Sequence, residues 1–193
     1  MRNSLLFFFF LFSSCGYHLG RNDNSEIKSV EVPYVEEDMY GLLTNELIKN
    51  IANSSAMHYQ STNANYELKV KVLNSATNKI GYKYDTNNEG QRTKNIRPTE
   101  GRCSLTAEVQ LINIKTREIK FGPFTVTSDS DFDYVDQDSL SDLSFIDPSG
   151  NRITVLSFSL GQLESIDSAK EAALKPLFEQ LAKKIVDAIS TYW

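Results

Sequence analysis

Tyr66-Glu67-Leu68-Lys69-Val70-Lys71-Val72 and Cys103-Ser104-Leu105-Thr106-Ala107-Glu108-Val109-Gln110-Leu111 decide the fold. In the first stretch Tyr66, Leu68, Val70 and Val72 alternate with Glu67, Lys69 and Lys71. In the second, Cys103, Leu105, Ala107, Val109 and Leu111 alternate with hydroxyl, carboxylate and amide side chains. Successive side chains of a strand point to opposite faces, so this period-two pattern predicts a sheet packed on one face and wet on the other. Cys103 lies in the apolar register and reads as a small core residue.

On either side of this pair the pattern changes. Toward the N-terminus, Glu26–Tyr34 alternates with Val30, Val32 and Tyr34 on one face, and Pro33 marks an edge or a strand end. Asp38 stands where it can cap a helix from about Met39 to Asn53, whose Tyr40, Leu43, Leu47, Ile48 and Ile51 have helical spacing. Toward the C-terminus, the turn at Asn113–Thr116 leads to a strand over Ile119–Thr127, interrupted by Gly122-Pro123 as a bulge or edge would be. Ser168-Ala169-Lys170-Glu171 is a capping-box signature. After it a stripe from Leu174 through Leu177, Phe178, Leu181, Ile185 and Ile189 to Tyr192 predicts a long helix, with Pro176 as a kink or local break. The stripe's polar flank mixes Glu171, Glu179 and Asp187 with Lys183 and Lys184, which favours packing on the sheet over membrane contact. The expected class is therefore α+β, with an about four-stranded sheet and two helices packed on one face.

The first residues read as an address. Met1-Arg2-Asn3 is a short positive start, Leu5–Phe12 an apolar run, and Ser13-Ser14 are small residues before Cys15. That order describes a secretory signal. Leu11-Phe12-Ser13-Ser14-Cys15 resembles a lipobox, with Phe12 where Leu is usual, which predicts acylation of Cys15 and cleavage before it. The organisation expected is a signal peptide over 1–14, a lipidated polar tether over 15–25 and a single domain over 26–193. With Cys15 acylated, Cys103 has no thiol partner within the chain.

Composition excludes several classes. A net charge of −5 argues against a general nucleic-acid binder, and one Cys with His18 and His58 makes no zinc site. There is no G-x-S-x-G, phosphate-binding glycine loop or H-E-x-x-H, so neither enzyme nor cofactor is expected. Asp129, Asp131 and Asp133 begin like a calcium loop, but Tyr134 stands where Gly is required and Leu140 where the bidentate Glu belongs. The run reads as a solvated acidic loop.

One segment runs against the overall charge. Thr77–Arg102 carries Lys79, Lys83, Arg92, Lys94, Arg97 and Arg102 against Asp85, Glu89 and Glu100, a balance of +3 in an acidic chain. Ile80, Tyr82, Tyr84 and Ile96 are interleaved with these cations, so the segment offers charge and apolar surface together, as suits an amphiphile with anionic headgroups. A long solubilising loop between the two strands is the alternative.

Cys15-Gly16-Tyr17-His18-Leu19, the strand ending Val30-Glu31-Val32-Pro33 and the helix Leu42–Ile51 resemble the opening of the LPS-assembly lipoproteins of the LptE family. The Tyr-x-Leu-x-Val-x-Val strand, the strand Ser104–Ile112 and the final helix starting Ser-Ala-Lys-Glu-Ala-Ala fit as well. The resemblance implies an outer-membrane lipoprotein held through its N-terminal acyl chains. It also implies a partner, a β-barrel lipopolysaccharide translocon in which the lipoprotein is plug and assembly aid, and contact with lipopolysaccharide. Only Cys15 carries over from the family as a residue; the basic residues are inferred from charge. A lipoprotein of another envelope assembly or secretion machine stays open.

Overall fold

The computed structural model of the protein describes residues 28–134 (apart from 39, 88 and 90), 144–154 and 166–192. Cys15, the signal, the tether and most of the stretch 129–163 beyond Tyr134 lie outside the described residues.

The elements in chain order are β1 (Lys28–Glu31), α1 (Leu42–Ala52), β2 (Met57–Tyr59), β3 (Tyr66–Thr86), β4 (Arg92–Asn113), β5 (Ile119–Asp133), β6 (Ser144–Ile146), β7 (Arg152–Thr154) and α2 (Ile166–Tyr192). The main sheet has five strands in the order β2-β1-β3-β4-β5, and β6 pairs β7 separately. The α+β class holds, while the expected four strands are five. The strand without a sequence signal is β2, three residues paired in parallel with β1. At that length no alternation can be read.

The two patterned stretches do form one antiparallel ladder, from Tyr66↔Asn113 through Leu68↔Leu111 and Val70↔Val109 to Val72↔Ala107. Directly opposed residues share a face, so Leu68, Val70, Leu105, Ala107, Val109 and Leu111 form one buried surface, with Val72 partly buried beside it. Leu43, Leu47 and Ile51 of α1 and Leu177, Leu181, Ile185 and Ile189 of α2 complete the same core. Cys103 is buried and unpaired, as its register predicts.

Both helix starts depart from expectation. The α1 N-cap is Gly41, in the left-handed region at φ 67°, with no side-chain cap of its own. Asp38 performs that task from three residues upstream: its Oδ2 accepts the Thr44 N–H (2.9 Å) and the Thr44 hydroxyl (2.8 Å). Helix α2 begins at Ile166, two residues before the capping-box Ser168, and continues through Pro176 for 27 residues, ~40 Å at 1.5 Å per residue. Gly122-Pro123 gives both expected features, because β5 is an edge strand and its register with β4 shifts there, between Val109↔Phe124 and Leu111↔Phe121.

Candidate functional site: a cationic aromatic ribbon

The basic segment is not a loop. β3 and β4 continue their ladder through it, Thr77↔Cys103, Asn78↔Arg102, Lys79↔Gly101, Tyr82↔Pro98, Lys83↔Arg97, Tyr84↔Ile96 and Thr86↔Arg92. The third strand accompanies them only as far as Glu100↔Asp133. Beyond that point a two-stranded ribbon projects by roughly 20 Å, at ~3.3 Å per residue over Gly81–Thr86. The signal for this is present in the chain: Ile80, Tyr82 and Tyr84 keep the period of two, and aromatic residues favour strands.

The acidic run is also strand. Asp129, Asp131 and Asp133 point outward from β5 while Ser128, Ser130 and Phe132 are buried. This alternation neutralises part of the basic segment. Arg102 Nε and Nη2 meet Asp131 Oδ1 and Oδ2 at 2.6 and 2.8 Å, a bidentate pair on the face away from the helices. The hydrogen bond holds the Asp131 carboxyl below the usual carboxylate range and raises the Arg102 guanidinium above its ordinary value. Ser104 donates to Asp129 Oδ1 at 2.6 Å on the same face.

The ribbon's two faces differ. Tyr82, Tyr84, Pro98 and Ile96 share one, where Tyr82 is 58%, Tyr84 47% and Ile96 57% exposed. Arg92 lies over the Tyr84 ring, 4.5 Å from its centroid, a cation–π contact at the end of the aromatic row. Lys83 and Arg97 share the other face, and Arg97 Nε stands 3.7 Å from Asp85. Lys79 and Lys94 are exposed. At the tip the Asn87 side chain accepts the N–H groups of Glu89 (3.0 Å) and Gln91 (2.9 Å), which closes the turn. Counting Lys83, Arg92, Lys94 and Arg97 against Asp85 and Glu89, residues 81–98 carry +2.

Of the six basic residues expected at the site, the structure brings Lys83, Arg92, Lys94 and Arg97 onto the ribbon, places Lys79 at its root, and sets Arg102 on the three-stranded part, engaged with Asp131. Asp85 and Asp131 are the partners that sequence reasoning misses, since only the register shows which carboxylate meets which guanidinium. Among the described residues no group of His, Cys, Asp and Glu is arranged to hold a metal, and no helix is long and apolar enough to cross a membrane.

Residues 27–189 match the sequence profile of LptE, described as lipopolysaccharide-assembly. The chain belongs to the LptE family. Among curated proteins none matches it. Solved structures similar to this LptE-family chain include a minor lipoprotein from Acinetobacter baumannii, at 13% identity over 86% of this chain and 92% of that one with a TM-score of 0.47. Rare lipoprotein B from Shewanella oneidensis is similar at 14% identity, over 84% and 94% of the two chains, with a TM-score of 0.41. A Caulobacter crescentus CB15 protein is similar at 15% identity, over 84% and 89%, with a TM-score of 0.47.

Proposed function

We propose that this LptE-family protein is a non-enzymatic outer-membrane lipoprotein, acylated at Cys15, that serves lipopolysaccharide assembly as the plug and partner of a β-barrel translocon. In this reading the ribbon over residues 81–98 meets anionic glycolipid or the barrel interior. The observation that carries it is the two-faced ribbon itself: an exposed aromatic row backed by cations, in a chain of net charge −5. Lipid A is amphiphilic and phosphate-bearing, so a surface offering apolar contact beside lysine and arginine donors matches both halves of the molecule. Charge-assisted hydrogen bonds to phosphate are worth about 1.5–3 kcal/mol each and weaken with salt.

Replacing Lys79, Lys83, Arg92 and Lys94 with Ser tests the contact. Arg97 and Arg102 are kept because they pair across the strands with Asp85 and Asp131. The variant should bind immobilised lipopolysaccharide more weakly, lose much of the salt dependence, and unfold at nearly the same temperature as the parent. Unchanged lipopolysaccharide binding together with unchanged barrel co-purification would return the ribbon to a solvated strand pair. Mass spectrometry of the mature N-terminus tests acylation separately, and a thiol free of lipid at Cys15 would overturn that part.

A further inference from the structure

The sheet end opposite the ribbon has a distinct surface. β1 runs parallel to β3 with Val30↔Tyr66, and Tyr66 faces Asn113, so the chain enters the domain at Lys28 beside the β4–β5 turn. Asn65 N–H bonds Ser29 O and Ile114 N–H bonds Asn65 O, which ties the entry point to that turn. The last turn of α2 arrives at the same place, where the Tyr192 ring stacks on Phe121 with centroids 4.6 Å apart.

This end departs from the chain's acidic balance. Residues 113–120 hold Lys115, Arg117 and Lys120 against Glu118 alone, +2 in eight residues. Glu118 is bound by Lys120 at 2.7 Å, and Arg117, 74% exposed along its side chain, reaches Glu67 only at 3.7 Å. Ile119 is 51% and Tyr192 49% exposed beside these cations. Exposed aromatic and aliphatic side chains next to lysine and arginine are the composition that settles at a bilayer's headgroup level.

From this we infer that the Asn113–Lys120 turn, with Ile119 and Tyr192, docks on the anionic phospholipid surface of the leaflet that holds the acyl anchor. The inference rests on the anchoring at Cys15 proposed above, and two observations name the occupant. The first is reach. Gly16–Ile27 is twelve residues, which span at most ~40 Å, whereas the 22 residues of β4 place the ribbon tip roughly 70 Å from the turn. The tether therefore holds the turn end, where the chain enters the domain, within reach of the bilayer surface. The second is charge: the local cations oppose the sign of anionic phospholipid, and each adds about fivefold to partitioning near such a surface.

The test separates this from natural lipidation by supplying the anchor chemically. The chain from Cys15 to Trp193, with Trp193→Phe and Ile119→Trp, is coupled through the Cys15 thiol to a maleimide lipid in phosphatidylcholine–phosphatidylglycerol vesicles whose acyl chains carry bromine; Cys103 is buried and is spared. Fluorescence at position 119 should be quenched by the brominated chains. The matching chain with Tyr84→Trp should not be quenched. Reversing Lys115, Arg117 and Lys120 to Glu should abolish the quenching at 119 while the protein stays coupled. Equal fluorescence at 119 and 84, or quenching at 119 indifferent to the charge reversal, overturns the docking. Absence of a natural acyl chain at Cys15 overturns only the anchor reading, because the coupled chain reports docking regardless.

Discussion

The Phe132 ring lies on Gly101. The two residues are opposed across β4 and β5, and a Cβ added to Gly101 would stand 2.4 Å from Phe132 Cζ. The contact sits where the third strand ends and the ribbon begins, so a missing side chain on one strand lets an aromatic from its neighbour close the core. Both residues are buried, and Tyr134 packs beside Phe132 with ring centroids 5.9 Å apart.

Gly101→Ala should therefore displace Phe132 and destabilise the fold by about 1–3 kcal/mol, the usual cost of overpacking. Urea unfolding of the two chains measures this. A loss below ~0.5 kcal/mol would mean that the ring moves aside freely.

Thr44 joins three segments. Its hydroxyl accepts the Val35 N–H at 3.1 Å and donates to Asp38 Oδ2 at 2.8 Å, all of it buried. Thr44→Val keeps the shape and removes the acceptor, leaving the Val35 N–H unpaired at a cost of about 1–3 kcal/mol. Thr44→Ser retains the hydroxyl and should recover most of that loss in the same denaturation series.

Leu181 is 0% exposed on the face of α2 that meets the core. Leu181→Ala should cost about 2–5 kcal/mol. Calorimetry that found the transition unmoved would show that α2 packs elsewhere and would reopen partner binding through its stripe.

The Asp131–Arg102 pair carries a pH signature. Its hydrogen bond lowers the Asp131 carboxyl from an ordinary value of 3.8. A carboxyl depressed on folding stabilises fully above its unfolded value, and that contribution fades as pH falls through the lower folded one. The pair is exposed, so the effect is small. The unfolding midpoints of the parent and Asp131→Asn should differ at pH 7 and converge below about pH 4. A gap that widens toward acid would contradict the assignment.

Much of this fold is legible in the order of residues alone. Tyr66–Val72 and Cys103–Leu111 state their own faces because a strand's side chains alternate with a period of two. The α2 stripe does so because a helix repeats every 3.6 residues. The Cys15-Gly16-Tyr17-His18-Leu19 start and the strand and helix motifs after it carry the resemblance to the LptE family, and the family match over residues 27–189 shows that membership. Tertiary structure alone decided that Thr77–Arg102 is strand. Ile80, Tyr82 and Tyr84 keep the period of two, but both faces of the ribbon are open to solvent, so no burial reinforces it, and pairing with the opposite strand supplies the order that a buried apolar face supplies elsewhere. The same holds for Asp129–Asp133, which reads as a loop from its charge and is held as strand because Ser128, Ser130 and Phe132 turn inward. Which cation meets which carboxylate depends on cross-strand register over 29 residues between Arg102 and Asp131. A one-residue slip would send each to the opposite face, and no local pattern in either strand specifies that alignment.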